Sequence, residues 1–270
     1  MAGLEACQVA VVGLGNIGRI LLERMLAVGV PGDRLVVRDA DPTREQDLVR
    51  RFGVRALALE EAAGVADVVL LAVPPKAALG VVRELRQWLH PGQLIISFVA
   101  AVPLALLEDI LPEGVAVARV MPNAPSLIGQ GMNPVCYGRL ARGEAKALVQ
   151  EVLAALGETV EVRDEQMNWC VGLSGAAMRS LLPALEGMTR AGIEAGLRPE
   201  QARRVAGQVM LGTAALALRS DLSFEELKSL TPMETLDEGF LADMLLQAAR
   251  SARDKMDQVE RKLMPRGGEG

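Results

Sequence analysis

The sequence predicts an α/β fold, a doubly wound parallel sheet followed by an all-α unit, and three observations lead there. Up to about residue 162, short β-branched runs alternate with helical stretches, the pattern of a parallel sheet covered by helices on both faces. After Arg163 the strand signals stop and the chain reads as successive helices. Half of the 270 residues are hydrophobic but only 3% are aromatic, so the cores must be filled by Leu, Val, Ala and Met, which suits helices packed tightly on a sheet.

In chain order the strands are "QVAVVG", "RLVVRD", "DVVLLAV", "QLIISFV", "VAVARVM", "PVCYG" and "ETVEV", each a short β-branched run. Between them Arg19 to Val28, Arg44 to Phe52, Ala77 to Leu89 and Glu144 to Leu156 carry apolar residues at helical spacing. From Asp164 to Leu263 the helices break at "LSG", "AGLRPE", "SDLSFEE" and "SLTPME". A chain of this length suits two domains, here 1–162 and 163–265, with 266–270 a disordered tail. No internal repeat or low-complexity linker is visible.

Composition excludes several classes of partner. A net charge of -5, with no basic stripe and no interleaved aromatics, gives nucleic acid nothing to hold. Met1 to Cys7 lacks the basic and long apolar regions of a signal peptide, and no apolar run reaches the roughly 20 residues that span a bilayer. A cytoplasmic protein without membrane partners is expected. Cys7, Cys136 and Cys170 are odd in number and far apart, which argues for buried thiols and against a disulfide framework or a metal site. The single histidine, His90, stands before a Pro-Gly turn and reads as a capping or surface residue.

The first chemical signal is "VAVVGLGNIGRILLERML", which places Gly13, Gly15 and Gly18 after a strand and at the opening of a helix, with Asn16 and Ile17 between them. Gly13 permits the tight turn, Gly15 lets backbone approach a pyrophosphate, Gly18 allows close helix–strand packing, and the helix N-terminus attracts phosphate charge. The second strand ends in Asp39, whose carboxylate can accept hydrogen bonds from both ribose hydroxyls of NAD and repel the 2′-phosphate of NADP. Arg38 and Arg44 offer the opposite option, since either can swing toward a phosphate, so NAD is favoured and NADP stays open.

The second signal is "ARVMPNAPSLIGQG", residues 118–131, whose prolines and glycines fix a non-helical path. Rigid loops beyond the carboxyl ends of parallel strands are where such sheets bind ligands, so Asn123 is expected at the nicotinamide end of the cleft; the alternative is a stiff connector. This loop closely resembles the signature of the pyrroline-5-carboxylate reductase family. "ISFVAAVPLALLEDILP" is similar to that family's segment after its fifth strand. "AVPPK", with Val73 and Pro74, resembles its loop after the fourth, Pro74 standing where lysine is usual. "LSGAAMRSLLPALEGMTRAGIEAGL" resembles the start of its helical domain.

The resemblance implies a Rossmann-type domain followed by a helical domain that dimerises, with NAD(P)H reducing a small cyclic imine to proline. It also implies that Ser174, Asn123 and Thr235 line the reaction pocket. The substrate motifs depart from the family. Ala176, Ala177, Met178 and Arg179 follow Ser174 and Gly175 where the family has a serine, glycine and proline, and "TPMETL" stands in place of Ser-Pro-Gly-Gly-Thr-Thr.

In "SLTPMETLDEGF" Thr231 reads as an N-cap, Pro232 as the first helical residue and Glu234 as the partner closing a capping box. Glu234 would then fill, from within the chain, the backbone nest that resembles the family's site for a substrate carboxylate. Met178, Arg179, Thr231 and Glu234 are the expected pocket residues, and Arg179 either pairs with Glu234, clamps a carboxylate or faces solvent. Two other readings compete: a reductase of a different imine or carbonyl compound, and a non-catalytic dinucleotide-binding dimer. A 3-hydroxyacid-type dehydrogenase would need a lysine on the first long helix of the second domain, and Lys228 and Lys255 come too late for it.

Overall fold

A computed structural model describes residues 3–264, so the expected disordered tail lies outside the described residues. The chain divides into two compact units, Met1–Ala176 with Arg250–Gly270, and Ala177–Ala249. Met167 and Cys170 are buried in the core beneath the sheet, and so belong with the first unit in packing.

The first unit is built on eight strands: β1 (Val9–Val12), β2 (Leu35–Arg38), β3 (Arg55–Ala56), β4 (Val68–Leu71), β5 (Leu94–Ser97), β6 (Ala116–Val120), β7 (Gly131–Tyr137) and β8 (Gly157–Glu161). Their order in the sheet is β3-β2-β1-β4-β5-β6-β7-β8. The central strands are nearly continuous runs of Val, Ile and Leu, buried throughout, which is what a sheet covered on both faces requires. Alternation then sorts them. Val9, Val11, Val68, Leu70, Leu94 and Ile96 face a core shared with helices α1 (Asn16–Ala27) and α6 (Glu144–Leu156), whereas Ala10, Val12, Val69, Leu71 and Ile95 face the opposite one. That second face is covered by α3 (Leu59–Val65), α4 (Pro75–Leu85) and α5 (Leu104–Ile110); α2 (Pro42–Phe52) reaches the first through Leu48.

All strands foreseen in the sequence form, but the sheet is not wholly parallel. β7 runs antiparallel to β6, through the register Arg119↔Cys136, because a short 3-10 turn at Ala124–Ile128 joins them where a parallel crossover would need a helix. β3 is two residues long and carries no β-branched signal. The stretch expected to break at "LSG" instead continues α7 (Met167–Cys170) as a π-helical turn over Val171–Gly175.

The second unit holds α8 (Ala177–Glu194), α9 (Pro199–Arg219), α10 (Phe224–Ser229) and the first part of α11 (Glu238–Leu263), whose later turns belong to the first unit. α8 and α9 approach closely at Gly192, where an added Cβ would lie 2.9 Å from that of Ala202. Among the described residues no helix is long and apolar enough to cross a membrane. The three cysteines are buried, and burial pushes each thiol above its ordinary value.

Candidate active site

Sheet order reverses between β1 and β4, and the crevice beyond the carboxyl ends of the strands at such a reversal is the usual ligand site of doubly wound sheets. A pocket of about 810 Å³ lies there. Gly13 and Gly15 enter it after β1, Arg38, Asp39 and Asp41 after β2, Ala72, Val73 and Pro74 after β4, Phe98 and Ala100 after β5, and Met121 and Pro122 after β6. The strand order separates Asp39 from Met121 by four strand spacings, about 19 Å.

The three glycines of the turn differ in what a side chain at each position would meet. Gly13 adopts φ 93°, and a Cβ there would lie 2.7 Å from the Ala72 carbonyl. At Gly18 a Cβ would collide with the Gly13 carbonyl oxygen, so this glycine lets α1 pack onto its own turn. A Cβ at Gly15 would meet nothing within 4 Å, because this residue borders the pocket. The N-terminus of α1 has no side-chain cap, which leaves its backbone N–H groups open beside Asn16 and Ile17. A bare backbone cradle at a helix N-terminus fits a pyrophosphate.

Asp39 is buried, 8% exposed, at the mouth of β2. Its Oδ2 accepts the Leu14 N–H of the glycine turn at 2.5 Å, and its Oδ1 accepts the Asp41 N–H at 2.8 Å. Arg44 Nη1 reaches both oxygens, at 3.3 and 3.4 Å. Arg38 Nη1 donates to Glu45 at 3.3 Å and to the Asp39 carbonyl at 2.9 Å.

Of the residues singled out in the sequence, Gly13, Gly15, Asn16, Ile17, Arg38, Asp39, Val73 and Pro74 meet in this pocket, and Gly18 supports it from behind. Asn123 and Ser174 are not among its lining residues. Both are fixed to the backbone of one residue instead: Asn123 Oδ1 accepts the Met132 N–H at 3.1 Å, and Ser174 Oγ donates to the Met132 carbonyl at 2.8 Å. Sequence reasoning missed Phe98 and Ala100, which the rule of carboxyl-end loops would have found, and Leu59, Val81 and Glu84, which helical spacing alone does not mark.

Met178, Arg179, Thr231, Glu234 and Thr235 belong to the second unit, where all five are exposed. The capping box expected at Thr231 does not form. Thr231 donates its N–H to the Lys228 carbonyl at 3.0 Å and so closes α10, and residues 231–237 are irregular. α11 starts at Glu238 instead, with Asp237 as its cap accepting the Phe240 N–H at 2.9 Å. Glu234 therefore fills no backbone nest at a helix start, and the self-filled anion site falls with the capping box.

Strand order, glycine turn and pocket together define a Rossmann-type dinucleotide-binding protein with an appended helical unit. Residues 8–101 match the family described as NADP oxidoreductase, coenzyme F420-dependent, and residues 164–258 match pyrroline-5-carboxylate reductase dimerisation. The pyrroline-5-carboxylate reductase of Pseudomonas aeruginosa is 33% identical over 225 residues, 82% of each chain. That of Corynebacterium melassecola is 27% identical over 264 residues, 93% of this chain and 98% of its own. The chain belongs to the pyrroline-5-carboxylate reductase family, oxidoreductases acting on carbon–nitrogen bonds. Solved structures agree on the fold. The Plasmodium falciparum pyrroline carboxylate reductase with NADP bound superposes with a TM-score of 0.82 at 20% identity, covering 96% of this chain and 100% of its own. The Coxiella burnetii pyrroline-5-carboxylate reductase gives 0.79 at 24% identity, with 94% and 98% covered.

Proposed function

We propose that this chain reduces the carbon–nitrogen double bond of pyrroline-5-carboxylate, using a reduced nicotinamide dinucleotide with NADH favoured, as a homodimer formed through its helical unit. The observation that carries the reading is the single pocket in which the uncapped start of α1 and the buried Asp39 share walls with Met121 and Pro122 of the family's signature loop. When bound, the reduced nicotinamide supplies the hydride.

The chain's own residues bind and orient. Backbone N–H groups at Gly15 and the first turn of α1 hold the pyrophosphate, and Asp39 marks the ribose end. Phe98, Ala100, Met121 and Pro122 form an apolar wall at the other end, which excludes water from the reacting carbon. An iminium is already electrophilic, so orientation supplies much of the rate without a strong acid. Asn123 and Ser174 hold the Met132 backbone, at the end of the loop that follows β6, in one position. Thr235, Met178, Arg179, Thr231 and Glu234 are the candidates for contacting substrate. Without a self-filled anion site, nothing in the helical unit argues against an acidic substrate.

The test is oxidation of NADH and NADPH followed at 340 nm with pyrroline-5-carboxylate, with proline identified as product. Turnover is expected with either cofactor, faster with NADH. Binding of the dinucleotide without turnover would return the chain to a non-catalytic binder.

A further inference from the structure

We propose that Arg44 is a displaceable cover over Asp39, and that it sets how sharply the pocket separates NADH from NADPH; this rests on the dinucleotide reading above. A carboxylate offers about four acceptor directions. On Asp39 one is taken by the Leu14 N–H and one by the Asp41 N–H, and the outer side of both oxygens is covered by a single Arg44 nitrogen, Nη1, shared between them. In this arrangement a ribose diol finds no free acceptor.

The donors differ in how readily they leave. Leu14 lies between Gly13 and Gly15, and Asp41 caps α2, so both backbone bonds are built into the turns that shape the pocket. Arg44 is 48% exposed, its two contacts are the longest of the set, and such pairs contribute little to stability. It also has a second partner to retreat to, since its Nη2 lies 3.6 Å from Asp41 Oδ2. Arg44 is therefore the donor a ligand can displace.

The two dinucleotides meet this cover with opposite chemistry. A ribose with free 2′ and 3′ hydroxyls brings two O–H donors that replace Arg44 on Asp39. A 2′-phosphate brings no donor; it is repelled by Asp39 and needs a cation. Arg44 is the mobile one, because Arg38 is tied by the Glu45 carboxylate that also receives the Asp39 N–H at 2.9 Å. The same side chain hinders NADH and assists NADPH, which blunts the discrimination Asp39 would impose alone.

The experiment is fluorescence titration of the full chain and of Arg44→Ala with NADH and with NADPH at one fixed ionic strength. In Arg44→Ala the Kd for NADH should hold or tighten, while that for NADPH weakens about tenfold, the equivalent of one charge-assisted contact. Arg44→Gln, which keeps the length and drops the charge, should move the ratio the same way and serves if the alanine variant folds poorly. A ratio unchanged within about twofold, or shifted toward NADPH, overturns the role of Arg44 and leaves the dinucleotide reading intact. Wild-type protein that binds neither nucleotide removes that reading itself.

Discussion

Two glycines of one motif are required for different reasons, and substitution separates them. At Gly18 a methyl group collides with the Gly13 carbonyl, so Gly18→Ala must push α1 off its turn. Its expected cost is about 3 kcal/mol, the upper range for overpacking, read as a lower urea midpoint. Gly15→Ala meets open space, so stability should stay within about 0.5 kcal/mol while dinucleotide affinity drops about tenfold. Equal losses of stability in the two variants would remove the distinction. At this scale the sequence was most legible where the backbone imposes a residue type. The three glycines and Asp39 stand at fixed distances from strand ends; Gly13, Gly15 and Asp39 border the pocket and Gly18 packs behind the turn. The partners of Asp39 were not legible: its bond to Leu14 joins residues 25 apart in sequence, and the position of Arg44 depends on a side-chain rotamer.

Between elements, the buried arginine of β6 ties several together. Arg119 is 1% exposed and donates to Asp164 Oδ1 at 2.7 Å, while Asp164 Oδ2 accepts the N–H of Leu104 at the start of α5. Asn168 on α7 receives a longer bond from Arg119 at 3.4 Å and passes its own amide protons to Asp257 and Glu260 of α11. One guanidinium thus links the strand before the signature loop to the last turns of the chain. Cys136 on the neighbouring strand sits 3.4 Å from Asp164, and its thiol is pushed up first by burial and then by that carboxylate. Because Arg119 Nε already lacks a partner, removing Asp164 leaves a buried charge with little compensation. Asp164→Ala should cost about 3 to 5 kcal/mol by urea unfolding, and Arg119→Leu combined with Asp164→Leu should cost less than that single change. A near-neutral Asp164→Ala would mean that water carries the charge. Elements were legible where one local pattern spoke alone, as in the β-branched strands. They were not where two patterns competed. The Thr-Pro-x-Glu run and Asp237 both satisfy the rules for a helix start, and what decided between them was that the Thr231 N–H closes the preceding helix. The reversal of β7 was hidden because strand residues carry no mark of direction.

On the scale of the whole molecule, the helical unit lacks what the first unit has in abundance, a core. Within residues 177–249 only Ala202, Ala206 and Ala249 are buried, although the stretch is rich in large apolar side chains. Val205, Val209 and Leu216 on α9 are about half exposed, and Leu211 and Leu218 more so; Phe224, Met233, Leu236 and Phe240 are at least 64% exposed. Three alanine methyls cannot offset the conformational entropy of ordering several helices, which costs about 1 to 2 kcal/mol per residue. Exposed apolar surface on this scale is the signature of an interface, and a second copy of the same chain covers it by symmetry without any further partner. The sequence of Val205 to Leu218, rich in Ala, Gly and Met, fits a monomer's core as well as a shared face, since composition does not tell inside from between. The low burial within one chain favours the shared face. If association supplies the missing core, stability must follow mass action, and the thermal midpoint followed by far-ultraviolet circular dichroism should rise with protein concentration. Leu211→Glu, on the exposed side of α9, should then yield a species of half the wild-type mass in sedimentation and lose helical signal, while the glycine-turn pocket of the first unit still binds the dinucleotide. A wild-type protein that sediments as a fully helical monomer with a concentration-independent midpoint would show that the helical unit holds itself together, and the homodimer would have to be given up.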